Sequence, residues 1–254
     1  MKRQVMHCFK LFLNKIKINK YICNLYLHRT TIICYCGSVT HDKQNEKKQR
    51  SKTCAIGKII RQKRGMSISK SDRPALILID IQKGFENLEY WGEERNNPDA
   101  ENNAGELLEI WRKNQLPIFH IKHCSSSSGS LLNESNEGNE FKEIVKPISG
   151  ETIIKKNVNS AFIGTNLKEQ LDNNKITKLV IVGLTTDHCV STTTRMAGNF
   201  GFDTFIVSDA TATFNKKGLD GQNFSAELMH ETALASLNGE FATVVTTDFL
   251  RKNI

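Results

Sequence analysis

KLVIVGLTTDHCVSTTTRMAGNFGFDTFIVSD, residues 178–209, is the stretch on which the fold turns. Its opening, KLVIVGL (178–184), is a short continuous apolar run and reads as a strand buried on both faces. A helix is expected from about 188 to 199, and DTFIVSD (203–209) reads as the next strand. Strand, helix and strand in direct succession form a parallel crossover unit, because two parallel neighbours cannot be joined by a tight turn.

The same alternation extends in both directions. ALILID (75–80) is another apolar run, ending in a carboxylate. Ala104, Leu107, Leu108 and Trp111 recur at three- and four-residue spacing, which predicts an amphipathic helix over 100–115. Pro117 opens a second strand, PIFHIKH (117–123), and the polar stretch 124–140 reads as a loop. A short helical patch then leads to a third strand, TIIKK (152–156). Thr165 can cap a helix carrying Leu167 and Leu171. Beyond residue 209, a helix from Ser225 to about Leu237 precedes a sixth strand, ATVVTT (242–247). Six strands alternating with helices predict the α/β class: a three-layer, doubly wound, six-stranded, mostly parallel sheet of Rossmann-like form. Such sheets bind ligands beyond the strand C-termini, where the strand order reverses. In the order 3-2-1-4-5-6 that point lies between strands one and four. Asp80 ends strand one and Cys189 follows strand four, so a carboxylate and a thiol face each other across the expected crevice.

Composition splits the 254 residues in two. The net charge of +8 is an average: residues 1–65 hold 16 of the 35 Lys+Arg but only 2 of the 27 acids. The remaining 189 residues therefore carry 19 bases against 25 acids, a net of −6. An acidic body disfavours a phosphate-binding surface, so no nucleic-acid partner is expected for residues 66–254. Five of the seven cysteines also lie in the first 65 residues, leaving Cys124 and Cys189. Two thiols make no disulfide framework, so the body reads as intracellular and reduced, and a cytoplasmic location is expected. No apolar run reaches the roughly 18 residues of a membrane span, since Asn24, His28 and Arg29 interrupt 21–36. Residues 1–65 read as a basic, disordered extension. They are either a targeting segment, which would make the protein mitochondrial, or not part of the true product, with translation starting at Met66.

No G-x-G-x-x-G or G-x-x-x-x-G-K-[ST] follows a strand, so nothing supports a nucleotide cofactor. What remains is Asp80, a lysine after strand three, and Cys189 at a helix start. A helix N-terminus and a nearby ammonium both favour the thiolate, so a lowered thiol pKa is expected. A carboxylate can take the thiol proton and return it to a leaving group, while the lysine keeps that carboxylate charged and in place. Each residue also has an ordinary reading: a loop-capping Asp, a solvated Lys, a packed Cys.

Together they carry a resemblance. LILIDIQKGF (76–85), KNVNSAFIGTNL (156–167), VGLTTDHCVSTTTRMAGNFGF (182–202) and VSDATATF (207–214) resemble the isochorismatase-like cysteine hydrolases over about residues 74–250. The resemblance places the catalytic Asp, Lys and Cys on Asp80, Lys156 and Cys189. Lys156 is preferred to Lys155 because the family lysine precedes Ser-Ala-Phe by four positions, and adjacent strand residues face opposite ways. It further implies a cis peptide between Leu184 and Thr185, an oxyanion hole from the N–H groups of Thr185 and Cys189, and a homo-oligomer. Isochorismatases proper cleave a vinyl ether without a cysteine, so Cys189 points to C–N bonds of a small amide, urea or carbamoyl substrate. Nicotinamidases add a metal held by an Asp-x-His…His cluster after strand two. Here His120 and His123 lack the Asp, so no metal and no other cofactor are expected. His123 is expected to border the substrate and His120 to pack. Phe85 and Phe162 are candidate pocket walls or core residues. His188 is expected outside the reaction centre, Cys124 as an accessible spectator thiol, and Gln82 in a local hydrogen bond. A lid over 124–140, together with 86–99, would set the substrate. Three other readings remain: vinyl-ether hydrolysis, a non-catalytic protein binding a metabolite or another protein, and a functional basic arm, residues 1–65, tethering the domain to nucleic acid or an anionic membrane.

Overall fold

The structure, a computed structural model, describes residues 67–254 and, before them, only the backbone of two strands. The chain divides into two units, residues 1–58 and 59–254. In the first, β1 (Ile22–His28) and β2 (Thr31–Gly37) pair antiparallel, where the sequence showed no strand period. Otherwise the reading of 1–65 as a disordered or targeting extension falls outside the described residues.

The second unit holds β3 (Ala75–Ile79), β4 (Ile118–His123), β5 (Thr152–Lys156), β6 (Lys178–Leu184), β7 (Asp203–Ala212), a small antiparallel pair β8 (Lys216–Lys217) and β9 (Asn223–Phe224), and β10 (Thr243–Val245). Six of these form one sheet in the order β10-β7-β6-β3-β4-β5, with every pairing parallel. Counted along the chain, this is the expected 3-2-1-4-5-6 order. It reverses between β3 and β6.

Period-two alternation divides the sheet between two cores. Leu76, Leu78, Val180, Val182, Phe205 and Val207 point to one face. There they meet Ala104, Leu107, Leu108 and Trp111 of α2 (Ala100–Lys113), which follows a one-turn helix α1 (Leu88–Trp91). Trp111 is fully buried, and its ring N–H donates to Pro74 O at 2.9 Å, tying α2 to the start of β3. Ile77, Ile79, Phe119, Ile121 and Ile181 point the other way. They are covered by Leu167 and Leu171 of α3 (Leu167–Asn173), Ala197 of α4 (Ser191–Asn199), and Leu234 and Leu237 of α5 (Ala226–Leu237). Each such large side chain, once buried, contributes about 1.5–3 kcal/mol. Ser225 caps α5, its side chain accepting from Leu228 N at 3.2 Å. The expected sixth strand is shorter than 242–247. Thr246 instead caps a final helix, α6 (Thr247–Asn253), by accepting from Phe249 N. Among the described residues no helix is long and apolar enough to cross a membrane.

One glycine shapes the crevice. Gly183 has φ +120°, and a Cβ there would lie 2.0 Å from Ile79 O. Only glycine allows β6 to pass this close to the end of β3. The register between β6 and β7 also shifts between Ile181 and Gly183, which lets β7 run on to Ala212 beyond the expected 209.

Candidate active site

Asp80 directly follows β3 with φ +51°, a left-handed conformation that ends the strand and turns the chain over the sheet. Its side chain is fully buried. Lys156 is the last residue of β5, on the strand's inward face with Ile154, whereas Lys155 points outward and pairs with Glu134. After β6 the Leu184–Thr185 peptide is cis. Cys189 then sits in a single wide turn, Thr186–Val190, closed by Val190 N donating to Thr185 O at 3.2 Å and leading into α4.

These elements bring the three side chains together. Lys156 Nζ lies 2.6 Å from Asp80 Oδ2 and 3.3 Å from Cys189 Sγ. It also lies 2.9 Å from His123 Nδ1, at the end of β4. An ammonium has three protons to donate, and here each has a partner. Asp80 Oδ1 is buried without a hydrogen-bond partner, so an acceptor beside the thiol is uncommitted. Asn159 Oδ1 lies 3.9 Å from the thiol.

The charge state differs from the sequence expectation. Burial pushes the Cys189 thiol up, and the Asp80 carboxylate beside it pushes further, with Lys156 opposing. The expectation of a lowered thiol pKa weighed the helix start and the ammonium but not this carboxylate. Asp80 and Lys156 already neutralise each other, so ionising the thiol would add an uncompensated buried charge. The Lys156 ammonium is held above its usual range: burial acts against the charge, but the Asp80 carboxylate outweighs it. Burial and Lys156 both push His123 down, so it is neutral near pH 7.

Among the described residues one group could present three metal ligands: Asp80, His123 and Cys189, whose ligand atoms lie within 4.8 Å of one another. The ammonium of Lys156 contacts all three, so the position a metal would take already holds a cation. His120 is turned away, buried and bonded through Nε2 to Glu151 at 2.8 Å. These residues do not fit a nicotinamidase-like metal.

The remaining candidates are placed as follows. Phe85 is buried and stacks on Trp91 at 4.5 Å, in a cluster with Leu132, Leu184 and Phe214. Phe162 packs on Phe200 and Phe202 and shares a core cluster with Cys189. His188 is 54% exposed beside Asp187. Cys124 is half-buried, not freely accessible, and burial pushes its thiol up. Gln82 bonds locally through its backbone, its N–H donating to Asp80 O at 2.9 Å, but its side chain reaches further. Its amide accepts from His123 N at 2.8 Å and donates to His123 O at 3.0 Å and Asn139 O at 2.7 Å, while Asn139 Nδ2 donates to His123 O and Leu132 O. This clamp fixes the end of β4 and ties down the 124–140 loop. Sequence reasoning missed Asn139 and Asn159. Asn139 stands in a polar loop with no period, and Asn159, although inside the 156–167 motif, was passed over for the lysine that opens it.

The family model for the isochorismatase domain matches residues 74–249. An uncharacterized isochorismatase family protein of Bacillus subtilis, YrdC, is 51% identical over 179 residues, covering 70% of this chain and 95% of that protein. Nicotinamidase 3 of Arabidopsis thaliana is 30% identical over 193 residues, covering 71% and 88%. A maleamate amidohydrolase of Pseudomonas putida is 26% identical over 199 residues, covering 72% and 87%. Among solved structures, an isochorismatase-family protein from Chromobacterium violaceum superposes with a TM-score of 0.71 at 39% identity, covering 74% of this chain and 96% of that one.

Proposed function

From the chain's membership of the isochorismatase family of hydrolases, we propose that it cleaves a C–N bond of a small amide, urea or carbamoyl compound through a thioester on Cys189. The observation that carries this reading is a buried thiol within hydrogen-bond distance of an ammonium that also holds a carboxylate. Vinyl-ether cleavage has no use for such a thiol. Two relatives named as amide-cleaving enzymes, the nicotinamidase and the maleamate amidohydrolase, support the same bond type.

The steps follow from the charges. The resting thiol is neutral, so Asp80 accepts its proton as the sulfur attacks the substrate carbonyl carbon, and no free thiolate needs to persist. The carbonyl oxygen becomes an oxyanion, for which the N–H groups of Thr185 and Cys189 are the proposed donors. Protonated Asp80 then gives its proton to the departing nitrogen as the C–N bond breaks, leaving the acyl group on sulfur. Water enters in place of the amine, Asp80 takes one of its protons, and the thioester opens to the acid and the thiol. Lys156 keeps Asp80 in position and offsets negative charge at each stage.

The test is ammonia release from a panel of small carboxamides, ureas and carbamoyl compounds, for the wild type and Cys189→Ala. The variant keeps the fold, because a small buried side chain is replaced by a smaller one, and loses turnover. Full activity in Cys189→Ala would end the thioester reading.

A further inference from the structure

His123 has a fixed tautomer. The Lys156 ammonium can only donate, so His123 Nδ1, 2.9 Å away, must accept. The proton of the neutral ring is therefore on Nε2. No described residue is bonded to Nε2, and it is not among the buried unpartnered atoms. The ring thus presents an unspent N–H donor at its outer end, while its inner end touches the ammonium that holds Asp80 and Cys189. The backbone on which it stands is immobilised by Gln82 and Asn139 through three hydrogen bonds. A half-buried donor held this firmly beside a nucleophile, with no protein acceptor, is arranged for an acceptor on a ligand.

We propose that His123 is a specificity-determining residue whose Nε2–H donates to a second acceptor on the substrate, a carbonyl, ureido or carboxylate oxygen adjoining the bond to be cleaved. This rests on the C–N hydrolase reading and narrows its substrate class. Favoured substrates carry an oxygen acceptor one or two atoms beyond the scissile carbonyl. Plain alkyl amides leave the donor unsatisfied. Amides bearing an amine at that place set a donor against a donor, and their positive charge lies near Lys156 as well.

The experiment uses the full chain with nitrogen-15-labelled histidine and two probes, malonamide and propionamide, which share a primary carboxamide but differ in the second carbonyl. The His123 ring shows the Nε2–H form, and malonamide shifts that resonance. One hydrogen bond makes malonamide bind about 5- to 10-fold tighter than propionamide. His123→Asn keeps an oxygen acceptor for Lys156, but its shorter amide leaves no N–H at the Nε2 position, so it binds the two equally. His123→Gln, whose amide N–H reaches outward, restores a preference. A ring protonated on Nδ1, equal or absent binding of the probes by the wild type, or a preference surviving in His123→Asn would each overturn the proposal. The two readings fail separately. A malonamide preference with no ammonia released from any compound of the panel keeps His123 as a ligand donor and removes the hydrolase, and ammonia released equally from both probes does the reverse.

Discussion

Asp80→Asn is expected to make Cys189 more reactive towards an alkylating agent while removing turnover. In the wild type the site holds one negative and one positive charge, and Asp80 lies beside the thiol, which its charge helps to keep protonated. Removing that charge without changing the side chain's shape leaves Lys156 as an unpaired buried cation, and thiolate formation then neutralises the site instead of charging it. The ligand atoms of the two residues lie within 4.8 Å of each other. At that separation and an effective dielectric constant of about 20, one unit charge is worth about 3.5 kcal/mol, or a few hundred-fold in the thiol's ionisation constant. Thiolates of lower pKa are weaker nucleophiles by a sensitivity of about 0.4–0.5, so the net gain in alkylation rate near neutral pH is about 20-fold. The assay is iodoacetamide labelling read by peptide mass spectrometry, with Cys124 in the same chain as the internal standard. Lys156→Met, which removes the opposing charge, should slow labelling of Cys189. A folded Asp80→Asn protein labelled no faster than the wild type would refute the electrostatic reasoning.

Three more outcomes are expected. Gly183→Ala should not give folded protein, because the new Cβ would fall 2.0 Å from Ile79 O at a φ of +120°; a normal circular dichroism melt would contradict this. Glu151, with a side chain 9% exposed, is paired with Arg112 and His120. These partners and Ile148 N outweigh its desolvation and lower its pKa from 4.5 to about 2. A carboxylate depressed in the folded state adds stability above its unfolded pKa and loses it as pH falls, so the wild type should lose about 2–3 kcal/mol more than Glu151→Gln between pH 6 and 2.5 in urea titrations. Equal acid sensitivity of the two would show that the pair adds nothing. Residues 66–254 alone should match the full chain in melting temperature and turnover, and should bind no DNA at low salt, since they carry the acidic part of the sequence; tight salt-sensitive binding by this fragment would count against that expectation.

The parts of this molecule legible in the sequence are those written in local pattern. Apolar runs such as ALILI and KLVIVGL read as buried strands, and their alternation with helices pointed to a parallel sheet, for which the commonest six-strand order was expected. Asp80 was readable because strand ends deliver side chains to the crevice, while Lys156 was separated from Lys155 by the family resemblance, through its spacing to Ser160, with strand alternation in agreement. What stayed hidden depends on distant segments meeting. Gln82 clamps His123 from 41 residues away, and nothing around Gln82 announces it. The raised thiol pKa was missed for another reason: Asp80 was read as the base for the thiol proton, but neither its charge nor the cost of burying a thiolate was weighed against the helix start and the ammonium. The final helix was hidden by brevity: Thr246 and the seven residues after it carry a capping residue but too few turns for a clear period.

The proposed mechanism stands on an acyl group carried by Cys189 during C–N cleavage. Turnover of the best amide from the panel, quenched in acid within milliseconds and followed by peptide mass spectrometry, tests it most directly. The peptide bearing Cys189 is expected to gain the mass of the acyl group, hydroxylamine to remove it, and Asp80→Asn not to turn the adduct over. Steady turnover with no adduct on Cys189, undiminished in Cys189→Ala, would contradict it.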